Sequence, residues 1–290
     1  MKVFLKITVI IVILFSITVN EPLFAQDKKE TSGKIEKFEK ALEKKPEHKP
    51  KEKSDRRYHK QKYHHHRRRN SFVGEFIVKP LLEYTFLYAF IGPPGDYSPI
   101  DYEFFANSSF SDYPYVTPDV GFYSNRTSKH YAFTLSGNYF YNNPKLQGFS
   151  VRSRIYPASF LAVELRFTDL IENLPTKYDH LQLYDVLVNY HRVRNQRWFL
   201  WWGLGMKGVK GDKTHKGMAL NLGTEIYVRK PVSLYVNYNV GFFSNINAVK
   251  ESLYQLNWHI KRNIVYFGYH RFSTGTAVLD GVIAGVGIYF

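Results

Sequence analysis

The sequence predicts an all-β protein: a transmembrane antiparallel up-and-down β-barrel of ten strands behind a basic, disordered N-terminal extension. Three observations carry that expectation. From His130 onward, segments of about 9–12 residues alternate between an apolar or aromatic face and a polar or small one. That period of two marks a strand whose faces meet different media. The connections alternate as well, short ones with longer polar ones. Aromatic residues make up 17% of the chain, which suits the girdles of a barrel wall.

Composition narrows the alternatives. The chain has 290 residues, net charge +15 and no cysteine, so disulfides and thiolate metal sites are excluded. The mean hydropathy of −0.34 argues against a bundle of membrane helices. A barrel is compatible with it, because only alternate residues face lipid. A soluble β-sandwich also alternates, but its strands are shorter and it needs no apolar last strand.

Residues 1–25 read as a secretory signal peptide. Lys2 and Lys6 precede an apolar core from Ile7 to Val19, and Leu23-Phe24-Ala25 resembles a cleavage site. The apolar core is shorter than the ~20 residues of a helical span.

Residues 26–71 change character. They hold 17 Lys and Arg against 8 Asp and Glu, which leaves +9. So few apolar residues cannot offset the entropy of ordering, and the segment is expected to be a disordered periplasmic tether. Ile35, Phe38 and Leu42 stand at helical spacing and predict one short nascent helix, ended by Pro46 and Pro50. Arg67, Arg68 and Arg69 are candidates for binding an anionic surface, either lipid or cell-wall polymer. His64, His65 and His66 are a weak metal candidate beside the plainer reading of a solvated tether. No nucleic-acid partner and no cofactor is expected.

Residues 72–129 form an aromatic, proline-rich segment. Phe76 to Phe90 is apolar but alternates poorly, and Gly92-Pro93-Pro94-Gly95 breaks it. The aromatics that follow, from Tyr102 to Tyr115, are expected to cover a barrel mouth, since large apolar side chains need cover. In a twelve-strand alternative, Leu81–Phe90 and Asp119–Tyr123 would be extra strands, with Ser124–Lys129 as their turn.

Residues 130–290 carry the barrel. In one segment Leu161, Val163, Leu165 and Phe167 oppose Ala162, Glu164, Arg166 and Thr168. In another, Val232, Leu234, Val236, Tyr238, Val240 and Phe242 oppose Ser233, Asn237, Asn239 and Gly241. The short connections are 157–160, 193–197, 229–231 and 262–263, and the longer set is 142–147, 169–179, 208–216, 244–252 and 273–279. The last strand runs Gly281-Val-Ile-Ala-Gly-Val-Gly-Ile-Tyr-Phe290. An unpaired apolar edge invites aggregation, and closing the barrel removes it.

With the signal peptide, the alternating strands and the terminal Gly287-Ile288-Tyr289-Phe290, residues 130–290 resemble the small bacterial outer-membrane barrels of the OmpA and OmpW type. The resemblance implies an outer-membrane location among outer-membrane lipids. It also implies an assembly signal at Phe290, with Val286 and Ile288 on the same face, read by the barrel-assembly machinery.

The inward faces are expected to carry Arg152, Arg154, Glu164, Arg166, Asp185, Lys207, Glu225 and Lys261. A ten-strand barrel is narrow enough for side chains to fill, and buried ions need partners. The favoured reading is therefore a lumen plugged by a charge network, in a non-enzymatic protein with a structural or interaction role in the envelope. One alternative is a small anion-preferring pore. The other is a rim lipid hydrolase built on His270 and Ser273, loosely similar to the lipid A deacylase barrels, from whose His-x-Ser pattern this spacing departs.

Overall fold

The strands close into one circle. The computed structural model describes residues 33–44, 109–118, 120–124, 128–175 and 177–290. The signal peptide, the Arg67–Arg69 and His64–His66 runs and the apolar stretch 76–90 lie outside these residues. A helix, α1 (Lys34–Glu43), and two very short strands, β1 (Ser109–Phe110) and β2 (Tyr123–Ser124), precede the barrel. The barrel strands are β3 (Ala132–Tyr141), β4 (Leu146–Ala158), β5 (Leu161–Asn173), β6 (Tyr178–Arg194), β7 (Trp198–Lys210) and β8 (Thr214–Arg229). They continue with β9 (Val232–Phe243), β10 (Val249–Ile260), β11 (Asn263–Thr274) and β12 (Ala277–Tyr289).

Each strand pairs antiparallel with its sequence neighbour, and β12 returns to β3, which makes a closed ten-strand up-and-down barrel. The closing register sets Val282 opposite Tyr141 and Tyr289 opposite Thr134. The backbone N–H of Phe290 donates to Phe133 O at 2.9 Å, so pairing continues past the last assigned strand residue. The count is ten, not twelve. Tyr123 and Ser124 pair with Phe110 and Ser109 in a separate ribbon instead of joining the wall.

Period two holds all the way round. Outside, Val188 is 50% exposed, Met206 59% and Leu220 46%, whereas inside Glu164, Lys207 and Asn189 are fully buried. The wall is thus apolar outward and charged inward, the reverse of a water-soluble protein.

The strands run further than alternation alone suggested. The segment expected as a loop over 244–252 is a loop only at 244–248, and that expected over 208–216 only at 211–213. Polar residues near this rim, such as Lys210 and Lys250, keep full ladder pairing, and their neighbours Val209 and Val249 are buried in an apolar cluster. We call this rim the loop mouth. The opposite rim, where β3 begins and β12 ends, is the turn mouth.

Candidate functional site

The lumen is filled in three layers. At the loop mouth sits α1. Ile35, Phe38 and Leu42, on one helical face, are at most 2% exposed and join an apolar cluster containing Leu181, Val209, Phe272 and Leu279. Both helix ends are satisfied by the barrel. The Glu172 carboxylate accepts from Lys34 N and Ile35 N, each at 2.8 Å, where the helix dipole favours negative charge. The N-cap is Gly33, and a Cβ there would stand 2.6 Å from Glu172 Oε2, so a larger residue would push the carboxylate aside. At the other end Asn247 donates from its backbone N–H to Leu42 O (3.0 Å) and from Nδ2 to Ala41 O (2.8 Å) and Lys44 O (2.9 Å). Asp212 N donates to Glu39 at 3.0 Å, and burial raises the pKa of that carboxyl. The helix expected to be nascent is therefore docked: about ten residues are marginal in water, and the mouth supplies the missing packing and caps.

The middle layer is ionic. Glu164 accepts from Arg154 Nε (2.9 Å), from Asn189 Nδ2 (2.8 Å) and from Arg166 Nε. Lys207 Nζ lies 2.9 Å from both Asp185 oxygens and 2.8 Å from Glu251 Oε2. Glu251 Oε1 meets His270 Nε2 at 3.0 Å and Arg166 Nη1 at 3.5 Å. Gly241 makes room for the lysine stem, because a Cβ there would fall 2.6 Å from Lys207 Cδ. Toward the turn mouth, Glu225 accepts from Ser233 Oγ and from Asn257 Nδ2 (2.9 Å). Arg152 reaches Gln255 (3.2 Å) and lies 4.7 Å over the Tyr235 ring. Arg154 donates to the Tyr235 hydroxyl. Four cations (Arg152, Arg154, Arg166, Lys207) thus face four carboxylates (Glu164, Asp185, Glu225, Glu251), and the layer is balanced.

The third layer, at the turn mouth, is aromatic. Phe110, Tyr115, Phe122 and Tyr123, all at most 3% exposed, enter between the wall residues Tyr156, Phe199, Tyr227 and Tyr289. The Tyr123 hydroxyl reaches Ser159 O at 3.0 Å and His191 Nδ1 at 2.9 Å. A cavity of about 40 Å³ remains beside Arg152, Arg154 and Glu225. That volume holds no more than a few waters.

Seven of the eight expected lumen residues lie inside the barrel, and Lys261 does not. It sits exposed in the turn between β10 and β11 with φ +52°. The alternation of the sequence continues one step past Ile260, where the strand ends. Glu251, His270, Asn189 and Asn221 belong to the network as well. His270 points inward and is 3% exposed, while Ser273 falls on the opposite face of β11, so the two are not brought together. Among the described residues no group of three or more His, Asp or Glu could hold a metal ion. On the outer face of β12, Val286 is 63% and Phe290 48% exposed.

No protein-family model and no curated protein matches the chain. Among solved structures it is similar to Ail, the attachment invasion locus protein of Yersinia pestis, at 12% identity and a TM-score of 0.32, over 56% of this chain and 99% of that one. This chain is a closed ten-strand barrel. That statement rests on its own strand pairing.

Proposed function

We propose that the protein is an outer-membrane β-barrel with a structural or interaction role in the envelope, non-enzymatic and non-conducting. The observation that carries this is the inverted wall, with exposed Val, Leu, Ile and Met outside and paired charges inside. An apolar belt running round the whole barrel far exceeds what a water-soluble surface carries, and lipid is the solvent that covers it. The short turns favour a periplasmic turn mouth and an outward loop mouth. On this reading α1 lies on the outward side, and the periplasmic placement expected for residues 26–71 does not apply to Lys34–Glu43. The Arg67–Arg69 run is proposed to meet anionic lipid or polymer.

Fractionation and heat-dependent gel mobility test the reading. The protein is expected in outer membranes and should migrate faster unboiled than boiled. Recovery in the soluble fraction, or identical mobility of the two samples, would overturn it.

A further inference from the structure

The two mouths differ sharply in charge. At the turn mouth, the β6–β7 connection brings Arg192, Arg194 and Arg197. The β8–β9 turn brings Arg229 and Lys230, and the β10–β11 turn Lys261 and Arg262, all four exposed. Lys129 precedes β3 and donates to Phe290 O at 2.9 Å. Among the described residues at this rim the one exposed acidic side chain is Asp112. The loop mouth instead mixes signs, with Lys213 2.9 Å from Glu43 and Lys177 3.0 Å from Asp179.

The cations also sit at a defined height. At the same rim Tyr131 is 73% exposed and Phe160 48%, and just inside it on the outer wall Trp258 is 53% exposed. Such amphipathic and aromatic groups mark the level where acyl chains give way to headgroups. Arg192 and Arg194 alternate with buried His191 and Val193, which places them on the outer face of β6, and Arg194 Nη1 donates to His191 O at 2.6 Å. A ring of guanidinium and ammonium groups at that level faces phosphate oxygens, which guanidinium binds in a bidentate fork.

We propose that this collar binds the phosphates of anionic glycerophospholipids in the leaflet that meets the turn mouth. The idea rests on the membrane-barrel reading above. It is separate from the basic run Arg67–Arg69, because it is built on the barrel wall.

The test uses the full chain, delipidated in detergent and titrated with phosphatidylglycerol, phosphatidylcholine or lipid A, with bound lipid counted by native mass spectrometry. One variant removes four of the collar cations (Arg229→Gln, Lys230→Gln, Lys261→Gln, Arg262→Gln). A control removes the same charge at the loop mouth (Lys145→Gln, Lys210→Gln, Lys216→Gln, Lys250→Gln). Both keep the N-terminal basic segment. The wild type should prefer phosphatidylglycerol to phosphatidylcholine, the collar variant should lose at least about tenfold of that preference, and the control should stay within about twofold. Equal losses in the two variants, no preference in the wild type, or tighter binding of lipid A at the collar would each overturn the proposal. The heat-dependent gel shift is read on every sample. Its absence from the wild type would sink the membrane reading itself, a failure distinct from that of the collar.

Discussion

Arg166 on β5 and Glu251 on β10 stand five strands apart whichever way one counts around the ten-strand barrel, yet Nη1 and Oε1 meet at 3.5 Å. Arg154 on β4 and Tyr235 on β9 are likewise diametrically placed and hydrogen-bonded. Such contacts span the full diameter of the lumen. They also tie opposite walls together, so the network acts on stability as one unit.

Replacing Lys207 should show this. The side chain is fully buried between Asp185 and Glu251, and Lys207→Met leaves those carboxylates facing each other without their shared cation. The expected loss is about 3–5 kcal/mol, read as a lower urea midpoint of the unboiled gel band. Adding Asp185→Asn should recover part of it. An unchanged midpoint for the single variant would mean that the network is not structural.

The docked helix predicts a specific cross-link. A Cβ built on Gly275 stands 3.8 Å from Ala41 Cβ, a separation native disulfides use. The chain has no cysteine, so Ala41→Cys with Gly275→Cys forms a clean pair. The double variant should cross-link on oxidation and show altered non-reducing mobility. Each single variant should not. Gly275 has φ +53°, so a modest loss of stability should accompany the change. Failure to cross-link in a folded barrel would place α1 elsewhere.

Glu172 is expected to anchor that helix. Glu172→Gln removes the charge at the helix N-terminus and one of two acceptors, with an expected cost of about 1–2 kcal/mol in docking. Protease sensitivity of α1 should rise roughly five- to thirtyfold while the barrel keeps its gel shift. Sensitivity equal to wild type would show that Ile35, Phe38 and Leu42 suffice.

The helix and the aromatic layer predict opposite sidedness. α1 lies at the loop mouth and Phe110, Tyr115, Phe122 and Tyr123 at the turn mouth, so Lys40→Cys and Arg262→Cys should react with an impermeant maleimide from opposite faces of the membrane. Lys40→Cys should label on intact cells, and Arg262→Cys only after permeabilisation. Labelling of both from one side would contradict the arrangement.

Much of the barrel was legible in the sequence, because period two is imposed on every strand by its two solvents. Glu164, Arg166, Asp185 and Lys207 fall on inward phases of well-defined strands. Glu251 was hidden in a polar stretch that reads as loop, although β10 already begins at Val249. Lys261 is the opposite case, in phase with β10 but beyond its end, since alternation gives phase but not strand length. The apolar face of α1 was visible, while its docking site was not: three apolar residues specify a helix face and leave the matching surface open. That surface is assembled from Glu172, Asn247 and Gly275, which are far apart in sequence.

Single-channel recording on the full chain in planar bilayers is the decisive measurement. With α1, the ionic layer and the aromatic layer in place, inserted protein should give no stable conductance steps in molar salt at any moderate voltage. Reproducible steps from folded, gel-shifted protein would show an open lumen and contradict the sealed barrel.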